Sequence, residues 1–181
     1  MILYTTADGK TYSAADGTLL VLGVSDLITD RTILDFNRWR ELRDKGWANM
    51  TTAEREEWAG ASMKGSYGPS DLNRVGTVLN DLRDRLSAAG YLDGGAFEAR
   101  IDWTAGEIPE LSYLPYYLRA VALIREALAQ WKSTPDTPAY VGSLDYQDAN
   151  DIEQILVDVD QLITNMLAAR HYCGDLYSGE V

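Results

Sequence analysis

Residues 149–170 read ANDIEQILVDVDQLITNMLAAR. Ile152, Ile155, Leu156, Val159, Leu162, Ile163, Met166 and Leu167 recur at helical spacings and share one face. That face is too wide for a surface helix, so the stretch predicts the central helix of a bundle. Asp145, Asp148 and Asp151 stand around its start, where acids oppose the positive end of the helix dipole. Their spacing misses the D-x-[DN]-x-[DN]-G calcium loop and its closing glutamate, so no metal is expected there.

Two further long helices are predicted upstream. In PSDLNRVGTVLNDLRDRL (69–86), Leu72, Val75, Leu79, Leu82 and Leu86 alternate spacings of three and four. Asn80, Asp81, Arg83, Asp84 and Arg85 fall on the expected wet sides, Ser70 is the expected cap and Gly90 the end. In YLPYYLRAVALIREALAQW (113–131), Ser112 is a cap candidate and Pro115 sits in the tolerated first turn. Leu118, Val121, Leu128 and Trp131 mark its buried side.

Two shorter helices precede these. TILDFNRWRELRDKG (32–46) is predicted to be capped by Asp30 and closed by Gly46, with Ile33, Phe36 and Arg40 on one side. In NMTTAEREEWAG (49–60), Thr51 and Glu54 have capping-box spacing, and Trp58 is expected to plug the helix onto the body. Residues 1–28 differ: short β-prone runs alternate with Asp8-Gly9 and Asp16-Gly17, a hairpin signal. The predicted fold is therefore all-α, a bundle of about five helices over 29–181, with a short β-hairpin or extended N-terminal arm over 1–28.

Composition narrows the function classes. The formal charge of −12 disfavours binding to phosphate backbones, so no nucleic acid and no anionic membrane surface are expected as partners. Residues 1–10 lack the basic and apolar regions of a signal peptide, and no apolar run is long enough to span a membrane. One cysteine excludes an internal disulfide framework. Eleven Tyr and five Trp against two Phe favour rings that keep a polar tip, a composition enriched at interfaces.

No catalytic signature emerges. The phosphate-loop, dinucleotide and nucleophile-elbow motifs are all missing. A carboxylate pair among Glu54, Glu56, Glu57 and Asp102, with Trp58 and Trp103 as sugar platforms, would give a hydrolase. In a chain with 28 acidic residues, an acid beside a Trp arises by chance. His171 and Cys173 would lie about 200° apart on a helix, the wrong geometry for a nucleophile and its base. No catalytic residue, cofactor or metal is assigned.

The C-terminus repeats itself. Residues 172–176 (YCGDL) are followed by residues 177–181 (YSGEV), a tandem Tyr-small-Gly-acid-aliphatic unit in which Cys173 takes the place of Ser178. Glycine at the third place predicts two successive turns presenting Tyr and aliphatic anchors. The expected interaction residues are Tyr4, Tyr12, Tyr172, Tyr177, Glu180 and Val181. The alternative is a carbohydrate- or ligand-binding module built on Trp47, Trp58 or Trp103.

Five segments in order carry a family resemblance. GWANMTTAEREEW (46–58), KGSYGPSDLNRVGTVLNDL (64–82), DWTAGEIP (102–109), ANDIEQILVDVDQLITNM (149–166) and YSGEV (177–181) resemble small phage and prophage proteins of Gram-positive bacteria, encoded in the tail-gene region. The resemblance begins near Thr29. It implies a non-enzymatic structural protein of the virion tail, baseplate or fibre, made in the host cytoplasm. Its partners would be other tail proteins and further copies of itself.

Overall fold

The computed structural model describes residues 23–59, 63–104, 107, 113–139 and 144–177, with side chains up to Ala169. The described residues are helical, with five α-helices and no strand: α1 Ile33–Lys45, α2 Thr52–Ala59, α3 Pro69–Ala88, α4 Tyr113–Glu126 and α5 Tyr146–Tyr177. The hairpin expected at the N-terminus falls largely on residues outside this set. Its last part, Val24–Asp26, is a 3-10 turn packed on α5.

α3, α4 and α5 pack against one another as a three-helix bundle. Leu72, Val75, Leu79, Leu82 and Leu86 of α3 are all buried, as the alternation predicts. They meet Leu118, Val121 and Ile124 of α4 and Ile152, Ile155, Leu156, Val159 and Ile163 of α5. The wide apolar face of α5 follows from its position, because it packs on both neighbours.

The helix ends follow local chemistry. Thr32, not Asp30, caps α1: its hydroxyl accepts from Asp35 N while the Asp35 carboxylate accepts from Thr32 N at 2.8 Å. Asp30 instead pairs with Lys64 at 2.7 Å. Gly46 closes α1, and Thr51 with Glu54 forms the expected box before α2. Gly68, not Ser70, precedes α3, and Asp71 accepts from its N–H at 2.9 Å. Proline at the first helical position donates no hydrogen bond, so the cap shifts one residue upstream of it. Pro115 lies in the first turn of α4, while Ser112 is outside the described residues.

Three expected faces need correction. Asn80 is no solvent residue: its amide accepts from Ala99 N and donates to Ala99 O, both at 2.9 Å. Asn73, seven residues earlier, brackets Trp103 in the same way at 2.8 and 2.9 Å. The two amides act as a ladder for the extended chain 97–103, and Gly76 between them leaves room, since a Cβ there would lie 2.7 Å from Arg100 O. Arg83 and Arg85 also turn inward, to Phe97 O and to Asp160. α4 stops at Glu126, so Trp131 is exposed rather than buried. In α1, Ile33 and Leu34 face solvent, and Leu42 is the buried residue.

The far end of α5 changes character. Apolar burial stops at Ile163, and Leu167 is 42% exposed, so the predicted face fails in its last turns. The helix nevertheless continues to Tyr177, in place of the first turn expected at 172–176; residues 178–181 of the second lie outside the described residues. At 32 residues it is about 48 Å long, against about 30 Å for the 20 residues of α3.

Candidate functional site

An acid stands on the buried face of α5. Glu153 falls one turn after Ala149 and one before Leu156, and is 0% exposed. A buried carboxylate requires partners. Glu153 Oε1 accepts from Arg31 Nη2 at 2.6 Å and from Arg74 Nη2 at 2.9 Å. The same two guanidiniums reach Asp71 Oδ1 at 2.9 and 2.6 Å. Two cations and two anions thus form a closed, neutral square between α3, α5 and the chain leading into α1.

The square fixes that leading chain. Ile28 N donates to Glu153 Oε2, and Asn150 brackets the backbone of Arg31 with bonds of 3.0 and 2.9 Å. The Arg31 guanidinium lies 5.6 Å from the centre of the Tyr67 ring, whose hydroxyl bonds that of Tyr117. Burial pushes both tyrosine hydroxyls well above their ordinary range, so both stay protonated near neutral pH.

Above the square lies a partly open cavity of about 390 Å³, within the size range of small-molecule sites. Phe36 and Trp39 of α1, Tyr67 and Tyr146 give it aromatic walls, with Leu72 and Ala149 beneath. Phe36 is 5.7 Å from Trp39 and 6.3 Å from Tyr146, centre to centre. Gly65 brings the loop before α3 against α1, where a Cβ would lie 2.0 Å from the Asp35 carbonyl oxygen. Any side chain at 65 would push α1 away and open this wall.

The residues expected to bind or react sit elsewhere. Trp103 is only 7% exposed, with Tyr113 edge-on at 4.8 Å and the Arg100 guanidinium at 4.1 Å. Trp47 is 55% exposed beside Arg55, and Trp58 is half-buried on α2. None of the three lines the cavity. Tyr172 and Tyr177 fall on the last turns of α5, beyond the described side chains. Tyr4, Tyr12, Glu180 and Val181 lie outside the described residues.

Three of the four acids of the hydrolase reading have other partners. Glu54 holds Lys45 at 2.7 Å, Glu57 holds Arg38 at 2.6 Å, and Asp102 is bonded to Arg100. Lys45 and the Thr51 N–H lower the Glu54 carboxyl to about 2, and the Arg38 pair lowers Glu57. Neither is raised, as a general acid would be. Asp145 accepts from Gln147 N and Asp148 N, so this acidic run caps α5. Among the described residues, no group of three His, Cys, Asp or Glu side chains could hold a metal ion. None of the described helices is long and apolar enough to cross a membrane.

Arg31, Asp71, Arg74, Glu153 and the aromatic walls escaped the sequence reading. One signal was present: Glu153 interrupts the apolar face through Ala149 and Leu156, and a charge on such a face demands partners. Nothing local points to Arg31, which lies 122 residues from Glu153. No protein-family model, characterised protein or solved structure matches this chain.

Proposed function

We propose that the protein is a non-enzymatic assembly component of a phage tail, acting in a baseplate, fibre or adaptor through contacts with further copies of itself and with neighbouring tail proteins. The observation that carries this reading is that α5 continues to Tyr177, while among its described side chains full apolar burial ends at Ile163 and Leu167 is exposed. Ile155, Val159, Leu162, Met166, Ala169, Cys173 and Leu176 follow one another at alternating spacings of four and three. This is a heptad spacing, and it starts in the bundle core with Ile155 and Val159. The extension from 164 to 177 spans about 21 Å, or two heptads. A seam of that kind is self-complementary, so its occupant is the same helix of a second copy. The resemblance of five ordered segments to phage tail-region proteins supplies the proposed biological setting.

The test compares the whole chain with a chain ending at Ala169, by light scattering and circular dichroism. Loss of assembly with the helical signal of the bundle retained supports the reading. A whole chain that is monomeric overturns it.

A further inference from the structure

We propose that the cavity between α1, the loop before α3 and the start of α5 binds a small organic cation of the quaternary ammonium class. Its walls suit such a group. Phe36, Trp39, Tyr67 and Tyr146 line about 390 Å³, room for a trialkylammonium head among aromatic surfaces. A cation beside an aromatic face is attracted by the ring's quadrupole, more strongly where water is excluded. Arg40 and Arg43 stand 5.9 and 4.9 Å from the ring centres of Phe36 and Trp39. Neither arginine lines the cavity, so both approach these rings from outside it.

The sign of the charge comes from the ion pairs of the lining. Four charged residues border the space: Arg31, Lys64, Glu107 and Asp145. Arg31 is paired with Asp71 and Glu153, Lys64 with Asp30, and Glu107 with Arg100. Asp145 differs. Its Oδ1 accepts two backbone N–H groups of α5, while Oδ2 has no partner among the described residues. Asp148 and Asp151 follow it on α5, and among the described residues neither is paired with a cation. Burial raises the Asp151 carboxyl, and the Asp148 and Asp145 charges raise it further, the mark of a negative field without a counter-ion. A primary ammonium buried among rings leaves N–H donors unmatched, whereas a quaternary one has none. The rings can therefore surround the head while Asp145 attracts its charge from the rim.

Choline is the probe, titrated against the ¹⁵N-labelled whole chain. The backbone signals of Gly65, Ser66, Tyr146 and Ala149 should move together and saturate. 3,3-Dimethylbutan-1-ol has the same shape with carbon in place of the charged nitrogen, and should bind about tenfold more weakly. Asp145→Asn keeps an acceptor for the α5 cap and removes the charge, so it should weaken choline about threefold and leave the alcohol unaffected. Tyr146→Leu removes one ring wall, should weaken choline about tenfold, and serves if the first variant does not fold. The proposal is overturned if choline leaves the cavity signals unmoved, if the alcohol binds as tightly as choline, or if a folded variant of either kind binds choline as well as the parent chain.

Discussion

Leu79 and Leu42 are both fully buried, yet they keep different company. Leu79 lies in the bundle, among apolar side chains from three helices and the chain 97–103. Leu42 lies in the α1–α2 hairpin, where Met50 is the other buried apolar residue. The hairpin is tied instead by part-exposed ion pairs, Arg38 with Glu57 and Lys45 with Glu54, and by Arg43 stacked 4.9 Å from Trp39. Surface pairs of this kind contribute little because solvent screens them, whereas burying one leucine is worth about 1.5–3 kcal/mol. The hairpin should therefore open at a free energy well below that of the bundle. Between the two regions lie the aromatic cavity and the charge square, so one wall of the cavity, Phe36 and Trp39, belongs to the less stable region.

The largest effect should come from the square that joins the regions. Glu153→Gln leaves Arg31 and Arg74 with one carboxylate between them, and a broken buried pair costs roughly 3–5 kcal/mol. The unfolding midpoint should fall by about 10 °C, and α1 exchange should rise with it. An unchanged midpoint would show that the square does not hold the fold. Next comes a matched pair of leucine truncations. Leu79→Ala should lower the stability of all three bundle helices by about 2–5 kcal/mol. Leu42→Ala should speed amide exchange in 33–59 and leave the slowest bundle amides unchanged. Equal effects from both would erase the distinction between the regions.

The smallest effect is set by pH. The Glu54 carboxyl is lowered to about 2 by Lys45 and the Thr51 N–H, below its ordinary 4.5. A lowered carboxyl binds fewer protons in the folded state, so its contribution is complete above pH 4.5 and fades as pH falls towards 2. Glu57 is lowered in the same direction by Arg38. Acidification through this window should raise amide exchange in α1 and α2 before α3 responds. Simultaneous loss in both would mean that these pairs do not distinguish the hairpin.

What could be read in advance follows the same division. The bundle was legible because Leu72 to Leu86 and Ile152 to Ile163 repeat at the helical period, and burial follows that repeat. The long C-terminal helix was legible, but the glycine-containing repeat at 172–181 suggested turns, and the helix runs through the first of its two units to Tyr177. Asn73, Asn80 and Asn150 looked like ordinary polar residues. Their bracketing of Trp103, Ala99 and Arg31 depends on chain segments brought close only by folding. The cavity was invisible for the same reason, since its walls come from α1, a loop, α4 and α5.

The central claim is that the last turns of α5 join copies of this protein. Its most direct measurement is the mass in solution of the whole chain and of the chain ending at Ala169. The account predicts a multiple of 20.1 kDa for the whole chain and a single folded copy after truncation. A whole chain of 20.1 kDa, or a truncated one that assembles equally well, would contradict it.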